Sequence, residues 1–455
     1  MPDTIAAIAT IQAPSAIGIV RLTGPDTRRI LDGVFAPANG RPMSAQTPRK
    51  LVFGRALDRS GGVIDEALAV LFPGPNSYTG EDCAEIHCHG SPVVLDEVLA
   101  AAFARGARQA RGGEFTQRAF LSGRMDLIQA ESVADLIDAE SAGAARNAVG
   151  QLQGRMSRSV GGIYDALMDV VSRFYAIVDY PDEEIEPLQQ AQIEQTLAES
   201  AERLDALLAT FSRGRLLKSG VPAVILGKPN AGKSSLLNAL LGYDRAIVTD
   251  IAGTTRDTVE EKVLVGSVLL RLCDTAGIRE AADTVERLGV ERAQQAAQRA
   301  ELALLVLDGS APLTREDEEA IAAARRARRM LVLVNKADLP QVLDTAALRV
   351  RFGEVIPLSA RSGAGVDALC RAVEELFAGG ETPRGELLTN ARQAESAQRA
   401  LDAVRRAEQA LRSGLSPDAV LTDAEEALEA LAEFSGKRVR DDLVATIFSR
   451  FCVGK

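Results

Sequence analysis

The chain has no tryptophan, and all aromatic residues together make up only 4% of its 455 residues. Its cores are therefore expected to be built from Leu, Val, Ile and Ala. Cysteine is also sparse: Cys83, Cys88, Cys273, Cys370 and Cys452 are odd in number and scattered, with no C-x-x-C pair. That argues against a disulfide framework and against a zinc ribbon. Histidine occurs twice, as His87 and His89. At i, i+2 they share one face of a strand and look like a metal motif, but no further ligands accompany them, so a packing role is expected. No apolar run reaches the length that spans a bilayer. No N-terminal segment places basic residues before an apolar core, so no signal peptide is expected and the cytoplasm is the expected compartment. Positive charge is in deficit, with a net charge of -11. Such a chain is not a general polyanion binder; a nucleic-acid substrate needs a local basic patch or a partner that carries the affinity.

What is present falls into distinct textures. Residues 1–118 carry short β-like runs such as Ile17–Leu22 and Ala67–Phe72, separated by turn-rich stretches such as Phe72–Gly80. They predict a small α+β domain. Residues 119–218 turn helical, with Leu127, Ala130, Ala134 and Ile137 at spacings of three and four. The acidic stretch Pro181–Pro187 reads as a solvated loop. Over 219–379 apolar runs of strand length alternate with helical stretches: Val221–Leu226, Val268–Leu272, Leu302–Leu307, Met330–Val334 and Val355–Leu358. That pattern predicts a mostly parallel sheet covered on both faces. Residues 380–455 are helical again, with Leu401, Val404, Ala407 and Leu411 on one face and Ala424, Ala427, Leu428 and Leu431 on another. The simplest architecture is a helical domain interrupted by an inserted α/β domain, its two helical parts packing together because lone amphipathic helices cannot bury their apolar face.

The run Gly227-Lys-Pro-Asn-Ala-Gly-Lys-Ser234 follows an apolar strand and opens a helix. It reads as a phosphate-binding loop in which Gly227, Asn230, Ala231 and Gly232 offer backbone N–H groups. Lys233 reaches the β- and γ-phosphates, and Ser234, with Ser235 behind it, supplies a hydroxyl for Mg²⁺. Asp274-Thr275-Ala276-Gly277 follows the strand Val268–Leu272 and fits the second magnesium-side carboxylate. Asn335-Lys336-Ala-Asp338 closes another strand; the Asp338 carboxylate can accept from guanine N1 and the 2-amino group, a donor pair that adenine lacks. Ser359 and Ala360 fit the last base-contacting loop. Four motifs in this order predict a GTPase, a hydrolase of the GTP anhydride. In Ras-like enzymes a Gln after D-x-x-G orients the attacking water; here that position is Ile278, so another group must do so. Asn230 could either stabilise its loop or hold a monovalent cation beside the phosphates. In the second reading the segment Thr249-Asp250-Ile251-Ala252-Gly253-Thr254-Thr255 completes the cation site through carbonyls, one threonine hydroxyl reaches Mg²⁺, and the cation replaces an arginine finger.

Across its whole length the chain resembles the tRNA modification GTPase MnmE (TrmE) family. The resemblance is carried by Ile17–Arg21, Pro73–Asp82, Gly113–Leu121, the nucleotide motifs and the tail Phe451-Cys-Val-Gly-Lys455. It implies a folate-binding-type N-terminal domain that forms a homodimer, a helical domain, and an inserted Ras-like GTPase domain activated by K⁺. It assigns Asn230, Thr249, Ile251 and Thr254 to K⁺, Ser234 and Thr255 to Mg²⁺, and the water-orienting role to Glu286. It also implies a flavoprotein partner, MnmG (GidA), and attachment of an aminomethyl-type group, as in carboxymethylaminomethyluridine, to C5 of the wobble uridine of certain tRNAs. A reduced folate, 5-formyl- or methylene-tetrahydrofolate, is implied as one-carbon donor, with Arg21, Glu85, Arg124 and Lys455 matching its contacts. Arg124 stands where the family frequently has Lys. Cys452 has two readings: a buried small residue, the usual fate of a free thiol, or a participant in the modification chemistry. A GTP-dependent binding switch of the ribosome-assembly kind is the competing reading; it calls for an appended basic module, which the neutral-to-acidic flanks do not offer.

Overall fold

In a computed structural model of the chain, residues 3–179, 187–243, 261–273, 294–377, 385–437, 447–448 and 451–454 are described. They divide into one unit of residues 1–134, 151–204 and 395–455, and a second of 135–150 and 205–394.

The first unit is built on a sheet of β1 (Ile5–Ile8), β2 (Ser15–Thr23), β3 (Phe35–Pro37), β4 (Val52–Leu57), β5 (Val63–Phe72), β6 (Cys83–Gly90) and β7 (Arg108–Gln109), ordered β3-β4-β5-β6-β2-β1-β7. It is antiparallel except where β1 meets β7. Strands β2 and β6 alternate in burial because one face packs under α1 (Thr27–Val34) and α2 (Pro92–Ala104), in a core of Ile30, Leu31, Leu95, Val98 and Ile86. Helix α3 (Glu114–Leu121) opens after Gly113, which takes a left-handed conformation, and Glu114 in its first turn is buried. Along the chain α4 (Leu127–Ile137), α6 (Arg155–Asp179) and α7 (Pro187–Ala209) follow, largely in this unit, while α5 (Ala142–Leu152) falls largely and α8 (Phe211–Ser219) wholly in the second. Helices α13 (Ala391–Arg412) and α14 (Pro417–Ser435) return late in the chain. The two helical stretches do pack together: Arg412 of α13 pairs with Glu194 of α7 at 2.6 Å, and Tyr175 of α6 donates to Glu425 of α14. Pro181 to Glu186 of the acidic stretch lie outside the described residues.

The second unit holds a six-stranded sheet ordered β13-β12-β11-β8-β10-β9: β8 (Val221–Leu226), β9 (Glu261–Val265), β10 (Val268–Leu272), β11 (Leu302–Asp308), β12 (Arg329–Asn335) and β13 (Val355–Pro357). All pairings are parallel except β9 with β10, a hairpin edge that the sequence reading lacked. β11 is buried at every position, as expected of a strand covered on both faces. One face packs on α9 (Lys233–Tyr243) and α12 (Val366–Phe377); the other packs on α10 (Arg315–Ala324) and α11 (Thr345–Phe352). Among the described residues no helix is long and apolar enough to cross a membrane.

Glu114, 3% exposed, anchors an ion network in the first unit. Arg108 reaches both of its oxygens and also Asp3, while Arg118 bridges Asp3 and Glu81. Burial pushes the Glu114 carboxyl up, but the Arg108 guanidinium and the Arg111 N–H outweigh it and hold the group at about 2. Stability from this depressed carboxyl is full above its ordinary value near 4.5 and is lost as pH falls toward about 2. Glu114→Gln should therefore destabilise the chain by ~2 kcal/mol at pH 7. In denaturant titrations the gap from the parent should close progressively as pH falls below 4.5. An unchanged gap would remove the network from the stability account.

Candidate functional site

In a parallel sheet the loops leaving the C-terminal ends of the strands emerge along one edge, where α/β sheets place their ligands. Here the loops after β8, β12 and β13 line a cavity of about 490 Å³ with Asn230, Lys233, Ser234, Asp338 and Ala360 among its walls. Gly232 and Ser235 also face it. Lys233 opens α9, and its Nζ donates to the carbonyl oxygens of Gly227 and Lys228, each at 2.8 Å. Burial holds this amine below the ordinary lysine range.

One buried side chain joins the three loops. Asn335, 2% exposed, donates from Nδ2 to the Ala231 carbonyl at 2.8 Å and accepts at Oδ1 from Ala360 N–H at 2.9 Å. The close approach needs Gly232: at its φ of 101° a Cβ would lie 2.0 Å from Asn335 Nδ2. Two ion pairs brace the same edge. Lys336 reaches Asp308 at 2.6 Å, and Lys228, inside the phosphate loop, reaches the buried Asp317 of α10 at 2.8 Å. Asp317 also closes a capping box with Thr314. Burial raises the Asp308 carboxyl, but hydrogen bonds from Lys336 and Ser310 more than reverse this. Asp338 is exposed and accepts at Oδ1 from Ser359 Oγ at 2.7 Å, which lowers its carboxyl and keeps it an acceptor. Asp308, Lys228 and Asp317 were missed by the reading of motifs. The end of β11, in register with Asn335, was the available signal for Asp308.

The first unit assembles a second set. Arg21 on β2 donates to Glu85 on β6 from Nε at 3.0 Å and from Nη2 at 2.8 Å, and its Nη1 reaches the Gly454 carbonyl at 3.2 Å. The guanidinium also lies 5.8 Å from the ring centre of Tyr78, which no motif reading had singled out. Burial raises the Glu85 carboxyl, and Arg21 outweighs it to hold the group ionised. The tail is fastened by a bridge between Gly112 and Val453, by Gly113 N–H to the Cys452 carbonyl at 3.2 Å, and by Phe448 and Phe451 packed on Leu127. Gly454, at φ 95°, passes so near β1 that a Cβ would meet the Ile8 carbonyl at 2.5 Å. Cys452 is exposed, so it is not the buried filler of one sequence reading. Arg124, in the turn after α3, lies exposed beside Gly80. His87 and His89 each take a carboxylate partner, Glu85 at 3.1 Å and Asp65 at 2.8 Å, and no cluster of metal-ligating residues occurs among those described.

Thr249, Asp250, Ile251, Ala252, Gly253, Thr254, Thr255, Asp274, Thr275, Ala276, Gly277, Ile278, Glu286 and Lys455 lie outside the described residues.

Removing the Asn335 side chain strands a buried carbonyl and a buried N–H. Asn335→Ala should cost ~2 kcal/mol of stability in thermal unfolding. It should also weaken a fluorescent GDP analogue in equilibrium titration by roughly tenfold or more, since the three loops lose their common tie. Unchanged nucleotide affinity would show that the loops are held independently.

The family profile of the MnmE helical domain matches residues 127–452, and that of the GTP-binding protein TrmE N-terminus matches residues 4–124. A tRNA modification GTPase MnmE of Roseiflexus sp. (strain RS-1) is 45% identical over 100% of this chain and 99% of its own length. One from Symbiobacterium thermophilum is 42% identical over 100% and 99%. The solved G domain of the T. maritima FeoB iron transporter covers 35% of this chain and 99% of its own, at 22% identity and a TM-score of 0.27. With profiles and relatives spanning nearly every residue, the chain belongs to the MnmE (TrmE) family of tRNA modification GTPases.

Proposed function

We propose that this protein hydrolyses GTP in a potassium-activated cycle and that, with the flavoprotein MnmG (GidA), it modifies C5 of the wobble uridine of certain tRNAs to an aminomethyl-type derivative such as carboxymethylaminomethyluridine. The observation that carries the GTP half is the Asn335 tie, which sets the phosphate loop, the Asp338 carboxylate and the Ala360 loop around one cavity. In this reading Lys233 leaves the Gly227 and Lys228 carbonyls for the phosphates, and Asp338 accepts from guanine N1 and the 2-amino group. Ser234, in the cavity wall, would hold Mg²⁺ together with Thr255. Asn230, in the same wall at φ 59°, would join Thr249, Ile251 and Thr254 around K⁺. Such a cation supplies positive charge where the β–γ bridge becomes anionic. Glu286 is assigned the attacking water.

The modification half rests on the family and on the Arg21–Glu85 pair beneath the tail. A half-buried guanidinium, a carboxylate held ionised and the Tyr78 ring fit a flat heterocycle with N–H donors and an anionic tail, as in 5-formyl- or methylene-tetrahydrofolate. That folate supplies the one-carbon unit when bound. Arg124 and Lys455 would add charge at its glutamate end, and the exposed thiol of Cys452 stands free for the chemistry. The solvent face of the N-terminal sheet exposes Ile17, Phe53 and Leu68, which supports self-association into a homodimer through that sheet. The domain boundaries that accompany this reading are 1–118, 119–218, 219–379 and 380–455.

Asp338→Asn should lower the preference for GTP over xanthosine triphosphate by roughly a hundredfold, measured as the ratio of kcat/KM values. GTP should be hydrolysed at least about tenfold faster in KCl than in NaCl, and Asn230→Ala should erase the difference. Mass spectrometry of tRNA from a strain lacking the protein should show unmodified wobble uridines; normal ones there sink the assigned function.

A further inference from the structure

In a chain of net charge -11, the segment Arg325-Arg-Ala-Arg-Arg329 carries four arginines in five residues, and Arg349-Val-Arg351 adds two more. The fold brings these segments together. Arg325 follows the end of α10 and Arg351 lies in the last turn of α11, and both guanidinium groups sit over the Phe352 ring, 5.7 and 4.9 Å from its centre. All six arginines are exposed.

They are not equivalent. Arg351 is held by Glu318 through two hydrogen bonds, Arg328 by Glu301, and Arg329 by the Leu376 carbonyl and the Phe377 ring. A cation at the last turn of a helix complements its dipole; Arg349 and Arg351 both stand in the last turn of α11, and Arg325 is the C-cap residue of α10. Arg326 and Arg349 have no carboxylate partner among the described residues. Nearby acids are largely engaged: Glu318 by Arg351 and Glu319 by Arg315, leaving Glu354 exposed two residues beyond Phe352. Between Arg349 and Arg351 stands Val350, 91% exposed, an apolar contact for a sugar or base edge.

We infer that Arg326 and Arg349, each within two residues of an arginine that covers the Phe352 ring, form a phosphate-contacting surface for the backbone of the tRNA substrate; this rests on the tRNA reading above. The groups are all guanidinium, which meets phosphate in a planar, bidentate fashion and is weakly hydrated. A locally basic surface on an acidic chain is what phosphate binding demands, and its contribution is sequence-independent and salt-sensitive. The surface also has a route to the nucleotide: α10 carries Arg325 and Arg326 after its C-terminal end, while Asp317 near its N-terminal end holds Lys228 of the phosphate loop.

The test is filter binding of unfractionated tRNA to the full-length protein over a series of KCl concentrations. The double variant Arg326→Glu/Arg349→Glu should bind at least about tenfold more weakly, with a slope of log K against log[KCl] reduced by about two. GTP hydrolysis without tRNA should stay within about twofold of the parent, which also reports that the variant is folded. The double reversal Lys50→Glu/Arg59→Glu, at two exposed positions in the other unit, makes the same change of net charge and serves as the control. A loss no greater than that control, or an unchanged slope, overturns the surface. The tRNA reading fails separately, if tRNA from the deletion strain has normal wobble uridines whatever the arginine variant does.

Discussion

The nucleotide edge of this protein depends on the two hydrogen bonds of the buried Asn335 side chain. Three loops leave three parallel strands at the same edge, and parallel pairing alone brings them only into the same neighbourhood. Asn335 fixes their spacing, taking the Ala231 carbonyl with its amide nitrogen and the Ala360 N–H with its oxygen. Both partners are backbone groups, so the tie acts on the path of the chain, and in the dry interior leaving either unmade costs more than making it gains. Gly232 is part of the same device, because any Cβ there would collide with the amide.

Around that tie the protein places charges in pairs. Lys336 with Asp308 and Lys228 with Asp317 brace two loops against the body of the unit. Lys233, by contrast, rests on carbonyl oxygens, and burial holds it below the usual lysine range. An amine satisfied only by neutral acceptors gains most when an anion arrives, whereas one already paired with a carboxylate would have to give that partner up. The same logic organises the N-terminal unit. Arg108 and Arg118 are consumed by Glu114, Asp3 and Glu81 and tie β7 and α3 to the segment before β1, while Arg21 divides its donors between Glu85 and the chain tail.

The local sequence carried the nucleotide loop almost completely. An apolar strand, a glycine-bearing turn and the start of a helix at Lys233 are short-range features, and β8 and α9 appear where the pattern put them. The parallel sheet was equally legible, because strands covered on both faces read as unbroken apolar runs. The hairpin edge β9 was not, since its Glu261-Lys-Val-Leu-Val265 run is short and half polar. The cap of α3 is not legible locally either: Gly113 in a left-handed conformation resembles an ordinary turn until the buried Glu114 is seen.

What the sequence determined by itself is therefore what lies within one stretch of chain: the strand, turn and helix start around Gly227–Ser234, the Asn335–Asp338 run that closes a strand, and the family to which they belong. Tertiary structure decided whatever depends on residues far apart in the chain. It joined Arg21 to Gly454, Lys228 to Asp317 and Arg325 to Phe352. It also turned Asn335 from one letter of a motif into the tie between three loops. The physical reason is that a hydrogen bond or ion pair needs its partners within about 3 Å, and only the folded sheet brings such distant positions that close.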